Sequence, residues 1–134
     1  MILLERLWNK PCDPASFSPL ALAFIGDGVY DLFVREQLIC QGNCPVGTLH
    51  KTAVKSVCCQ AQAQAVQKLM PILTEEEQAI YKRGRNAHTS RTPKNATVAD
   101  YHAATGLETL FGYLYLKGDL PRLRELFQNI QQTE

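Results

Sequence analysis

Residues 19–40, PLALAFIGDGVYDLFVREQLIC, form a helical pattern that is apolar on almost every side. At about 100° per residue, Asp27 and Asp31 share a face with Leu20, Phe24, Val34 and Leu38. Leu22, Ile25, Val29 and Leu32 hold the opposite face. A helix that is apolar all round is expected to be the buried centre of its domain. That expectation makes Asp27 conspicuous, because a carboxylate is costly to bury without a partner. Gly26 and Gly28 flank it, and each costs helix stability of about 1 kcal/mol relative to alanine. Both glycines make sense if something large approaches the backbone beside Asp27.

The rest of the chain is helical in pattern too. Ser18-Pro19 is a start signal, a capping hydroxyl followed by proline at the first helical position, and Gly42 is a stop. Residues 46–70 read as a pair of helices ending before Pro71. Thr74 and Glu77 form a capping box, and Glu75, Glu76 and Glu77 suit the positive end of the helix dipole. This helix runs into a basic stretch from Lys82 onward, after which NAHTSRTPKN reads as loop with Pro93 as breaker. Thr97 caps an apolar helix lasting to Lys117 and closed by Gly118. A last helix from near Asp119 buries Leu123, Leu126, Phe127 and Ile130. No strand pattern or internal repeat is visible. The expected architecture is all-α, five to seven helices, in one domain over residues 1–134, a length that suits a single core.

The helix YHAATGLETLFGYLYLKG carries a second central acid, Glu108, on a face made of Ala104, Thr105, Gly112 and Tyr115. Small residues there leave room for a neighbouring helix or a ligand. Two such helices could cross so that Asp27 and Glu108 meet. Carboxylates that close repel unless a proton or a cation lies between them. A hard cation that takes oxygen ligands and keeps several waters fits, which points to Mg²⁺. Capping a loop or pairing with an arginine is the alternative role for each acid.

Fourteen Lys and Arg nearly balance thirteen Asp and Glu, so net charge says nothing about partners and only its distribution can. KRGRNAHTSRTPKN, residues 82–95, concentrates Lys82, Arg83, Arg85, Arg91 and Lys94 without one acid. Asn86 and Asn95 add neutral donors suited to phosphate and sugar oxygens. Such a run is either a solvated face or an RNA-backbone contact. Beside a metal site it favours phosphodiester chemistry, which needs a cation at the scissile phosphate and positive charge along the backbone. His50 and Lys51 are weaker RNA-contact candidates. His50, His88 and His102 have no ligand spacing. The five cysteines form no CxxC pair or zinc quartet, as expected of free thiols in a reducing cytoplasm. No run is apolar enough to span a membrane, and the N-terminus lacks a secretory pattern.

ALAFIGDGVYDL resembles the signature helix of the ribonuclease III family, and GLETLFGYLYLKGD resembles its second acidic helix. LHKTAVKSVCCQAQAQAV, YKRGRNAHTSRTPKN and the closing LRELFQNI are similar, in order and spacing, to the compact Mini-ribonuclease III branch. The resemblance implies an all-α, homodimeric, Mg²⁺-dependent endonuclease for double-stranded RNA. It further implies maturation of the large-subunit (23S) ribosomal RNA precursor, with a ribosomal protein on that RNA as a candidate helper. Asp27 matches the central catalytic aspartate and Glu108 the glutamate of the second motif, both as metal ligands, and Asp31 is a candidate to support them through a water or a hydrogen bond. Ala23 and Thr105 stand where the larger family carries a further glutamate and aspartate, losses the compact branch shares. Full-length members also carry a double-stranded-RNA-binding domain that this chain is expected to lack, which leaves the grip on RNA to residues 82–95.

Two rivals from other classes remain at this stage. One is a non-catalytic RNA-binding ribosome-assembly protein that retains the fold, against which both retained acids argue. The other is an all-α nucleotide phosphohydrolase, against which the absence of a His-Asp doublet and of repeated ExxE argues.

Overall fold

A computed structural model, which describes residues 5–87 and 96–131, has six α-helices, four of them packed on a fifth. They are α1 (Pro19–Gln41), α2 (Val46–Val57), α3 (Cys59–Leu69), α4 (Glu75–Arg85), α5 (Val98–Lys117) and α6 (Leu120–Gln131). Short 3₁₀ turns occupy Pro14–Ser16 and Met70–Ile72, and no strand occurs among the described residues.

The helix starts follow from the sequence. Ser18 Oγ accepts from Ala21 N at 3.2 Å, Thr97 Oγ1 from Asp100 N at 3.0 Å, and the Thr74–Glu77 capping box closes in both directions at 2.9 and 3.1 Å. Gly118, at φ 86°, ends α5 in the left-handed conformation that glycine adopts most readily. The expected break within 46–70 falls at Cys58, whose extended ψ of 159° separates α2 from α3.

The central helix is α5, not α1. Along α5, Ala104 to Leu107, Thr109 to Gly112 and Leu114 are all buried, and α1, α3, α4 and α6 pack around it. The expectation that α1 would be buried all round is overturned. Its inner side, Leu22, Val29, Tyr30 and Val34, is in the core, but Phe24 is 84 % exposed and Leu32 56 % exposed. Leu20 and Ile39 extend the same outward face. Hydrophobicity on both sides of a helix does not tell core burial from an uncovered apolar face, and α5 has the smaller residues that let neighbours come close.

Glycine does that work at the helix crossings. A Cβ on Gly26 would lie 1.7 Å from Glu108 O, and one on Gly112 would lie 1.9 Å from Leu22 O. The backbones of α1 and α5 therefore touch, at the point where each helix carries its acid. Gly84 and Gly106 make the α4–α5 crossing in the same way, against Thr109 and Tyr81. Below the crossing, Tyr30, Phe33, Phe111 and Phe127 form an aromatic cluster with ring centroids 5.0 to 6.3 Å apart. Arg122 of α6 grips buried Glu77 with two hydrogen bonds of 2.7 and 2.8 Å and adds a third to Ile72 O, locking α4 to α6.

Candidate active site

The α1–α5 contact sets the site. Gly26 admits the Glu108 backbone, so the next residue, Asp27, is brought beside the Glu108 side chain. The Asp27 carboxyl is close enough for its charge to act on Glu108. Asp27 is exposed rather than buried, correcting the sequence expectation, while Glu108 is half-buried beneath it. Gly28, expected to give close approach as well, meets nothing within 4 Å. It opens onto a groove beside α1.

Burial drives the Glu108 carboxyl up to about 7, and the neighbouring Asp27 adds to that rise. The Gln62 amide opposes it, donating from Nε2 to Glu108 Oε2 at 3.1 Å. Such a pair is the setting expected for two carboxylates that need a shared proton or cation. Burial, with help from the Glu108 charge, also pushes the Tyr30 hydroxyl up to about 12 and the Cys59 thiol upward, so both stay neutral beside the acids.

The residues present fit a hard divalent cation with few protein ligands. Two oxygen donors converge from rigid helices at an edge open to solvent. Among the described residues no cluster of three or more His, Cys, Asp and Glu joins them. Ala23, one turn before Asp27, buries a methyl group in the core. Thr105 Oγ1 donates to Tyr101 O at 3.0 Å within its own helix. Neither therefore adds a charged ligand, and a cation held here would keep much of its water, as Mg²⁺ does.

Other candidate residues are distributed differently. Asp31 is engaged by Arg35, one turn on, at 2.8 Å, which gives it a surface ion pair on the outer face of α1. Lys82, Arg83 and Arg85 are exposed in the last turn of α4 rather than in a loop, with Asn86 as the helix cap. Arg85 also lies over the Tyr81 ring at 5.8 Å and donates to Asn86 Oδ1 at 3.2 Å. Arg91, Lys94 and Asn95 lie outside the described residues. His50 and Lys51 are exposed on α2.

Sequence reasoning missed Gln62. It is 2 % exposed in α3, whose other glutamines are exposed. The signal was its register, since Gln62, Ala65, Val66 and Leu69 stand at i, i+3, i+4 and i+7 and share the buried stripe of α3.

Comparison with known proteins shows the family. Residues 20–119, which include both acids and the basic end of α4, match the ribonuclease III domain. The chain is 49 % identical over 113 residues to Mini-ribonuclease 3 of Thermoanaerobacter sp. (strain X514), covering 84 % of this chain and 80 % of that one. It is 47 % identical over 116 residues to Mini-ribonuclease 3 of Symbiobacterium thermophilum, covering 87 % and 89 %. A crystal structure of a Fusobacterium nucleatum protein superimposes with a TM-score of 0.82 at 29 % identity, covering 91 % of this chain and 99 % of that one. With the domain match enclosing both acidic helices and the relatives aligned along most of their length, the chain belongs to the ribonuclease III family, on its Mini-ribonuclease 3 branch.

Proposed function

We propose that this ribonuclease III-type endoribonuclease works as one catalytic domain over residues 1–134 and cuts double-stranded RNA with Mg²⁺ held by Asp27 and Glu108. Its proposed substrate is the precursor of the large-subunit ribosomal RNA, in the cytoplasm, with a ribosomal protein on that RNA as a further partner. The single observation that carries the metal reading is the convergence of two carboxyl groups from different helices, one of them driven up to about 7. The ribosomal assignment rests on the resemblance to the compact branch. All five thiols are free, as suits a reducing compartment.

A bound Mg²⁺ supplies Lewis acidity and positive charge at the scissile phosphate. The chain's own contribution is placement. Asp27, at the exposed edge, is accessible to a phosphodiester, while half-buried Glu108 is held from below by α5 and Gln62. Asp27 and Glu108 would hold the cation through their carboxyl oxygens, with the repulsion between the two groups eased by its charge. Lys82, Arg83, Arg85 and Asn86, with Arg91, Lys94 and Asn95 beyond them, are proposed to track the RNA backbone, and His50 and Lys51 to add a weaker contact. Asp31, bound to Arg35, is left with a structural role.

The active form is proposed to be a homodimer. Leu20, Phe24, Leu32 and Ile39 are exposed apolar residues of α1, and exposed Leu7 lines the same groove as Leu32. The groove, of about 1110 Å³, is lined by Leu7, Ile25, Gly28, Leu32 and Phe33. Exposed apolar area of this kind marks an interface, and Asp27 borders it. Two copies related by a twofold axis would set two sites across a duplex.

Incubation with duplex RNA, single-stranded RNA and nucleoside triphosphates, with and without Mg²⁺, tests the reading. Cleavage of the duplex alone, and only with the cation, is expected. An intact duplex beside hydrolysed nucleotides would overturn it. A transcript of the paired ends of the ribosomal precursor, cut at discrete positions, tests the substrate assignment.

A further inference from the structure

Of the four glutamines on α3, Gln60, Gln64 and Gln67 are exposed, and only Gln62 is buried. Its amide is committed at one end. Nε2 donates to Val57 O at 2.9 Å, and that carbonyl is free to accept because α2 ends there and Cys58 turns the chain away. The same Nε2 donates to Glu108 Oε2 at 3.1 Å. One side chain thus ties the α2–α3 break to the acid on α5. Its other atom, Oε1, is buried with no hydrogen-bond partner. A buried acceptor left alone is costly, and a glutamine at a core position of a helix is otherwise a poor choice beside Ala65, Val66 and Leu69. Leucine or methionine would fill the same space without that cost, which implies a use for the amide.

Glu77 and Arg122 satisfy each other in a structural lock, and the apolar face of α1 is already taken up by the proposed dimer.

We propose that Gln62 is a positioning residue of the active site, its amide anchored on Val57 O so that the Glu108 carboxylate is held in the orientation that meets Asp27 around a divalent cation. The inference rests on the Asp27–Glu108 metal site proposed above. Glutamate has three side-chain torsions, and a half-buried one without a fixed partner would sample several rotamers. A hydrogen bond to the charged carboxylate restricts them and favours the ionised form that binds metal. Partners of this kind, one step behind the ligand, are worth roughly 10- to 100-fold in metal affinity or activity.

The test is Mn²⁺ binding to the free protein, followed by electron paramagnetic resonance, for wild type, Gln62→Met, Asp27→Asn and Glu108→Gln. Duplex cleavage against Mg²⁺ concentration is measured in parallel. Gln62→Met keeps the volume and removes the donors. It is expected to fold, to weaken Mn²⁺ binding about tenfold, and to raise the Mg²⁺ needed for half-maximal activity by a similar factor. Binding of duplex RNA without metal should not change. A purely structural glutamine would lower thermal stability and leave metal affinity intact. Gln62→Asn, an amide one methylene too short to span Val57 and Glu108, gives the same comparison if the methionine variant does not fold. If Asp27→Asn and Glu108→Gln abolish Mn²⁺ binding while folded Gln62 variants bind as wild type does, this inference falls and the metal site stands. If the two acid variants bind normally, the metal site itself falls.

Discussion

Glu108 is pulled in two directions, ionised to hold a cation and neutral to lie half-buried beside Asp27. Its carboxyl rises from 4.5 to about 7, chiefly through burial and then through Asp27. The sign of the stability effect follows. The folded state keeps this proton to higher pH than the unfolded chain does, so the contribution is complete below about 4.5 and is lost as pH rises through about 7. Without metal, Glu108→Gln should therefore melt at a higher temperature than wild type at pH 8, and the gap should close towards pH 4.5. Added Mg²⁺ should raise the wild-type melting temperature at pH 8 and leave the variant where it was. A gap independent of pH would show that burial does not hold the Glu108 proton in the folded state. Asp27→Asn, nearly isosteric and at an exposed position, should abolish cleavage while leaving folding and dimerisation unchanged. Substantial Mg²⁺-dependent activity in a clean preparation would remove Asp27 from the site.

Among the helices, the contact that matters is the crossing of α1 and α5. Gly26 and Gly112 have no room for a methyl group, and the atoms a Cβ would strike are backbone carbonyls that cannot swing aside. Gly26→Ala should cost about 3 kcal/mol, at the upper end for overpacking a core. In whatever still folds, it should lower kcat roughly 100-fold, since misplacing reacting groups by about 1 Å has that effect. Gly28→Ala, with open space beside it, should lower neither the melting temperature nor kcat by a comparable amount. Thermal melts and single-turnover cleavage of the two variants make the comparison, and equal losses would show that the crossing is not what brings the acids together. The same logic explains a misreading. GDG flanks the acid symmetrically in sequence, but only one glycine faces α5. Periodicity ranks faces and does not say which of two apolar faces is covered.

At the scale of the whole molecule, the exposed face of α1 is proposed to join two copies of the chain and the basic end of α4 to contact RNA. Leu32→Glu places a charge in the apolar groove, five residues from Asp27, and should convert the proposed dimer to a monomer at micromolar concentration. Sedimentation reads this directly, and an unchanged dimer would place the interface elsewhere. Replacing Arg83, Arg85 and Lys94 with alanine should weaken binding to unrelated duplexes about equally, because side chains cannot read an A-form major groove. Each lost phosphate contact should reduce the log–log salt slope by on the order of one unit or less. An unchanged slope would make residues 82–95 a solvated face and move the RNA contact towards His50 and Lys51.

The local signals were sufficient for the elements. Ser18-Pro19, Thr74 with Glu77, Thr97 and Gly118 mark helix ends through hydrogen bonds made within a few residues, so the all-α class and helix bounds were legible from the chain alone. The two acids were legible as well, because each interrupts an apolar pattern and the pairing needs only that their helices cross. Three things were decided by tertiary packing. Which helix is central depended on the glycines of α5 and the partners they admit. That Asp27 is exposed while Glu108 is not depended on the side from which α5 approaches. Gln62 owes its place to a contact across 46 residues of sequence, a carbonyl freed at Val57 and a carboxylate on another helix. Local sequence records the hydrogen bonds a segment makes with itself, and the long-range bond that orients Glu108 exists only once α2, α3 and α5 are packed.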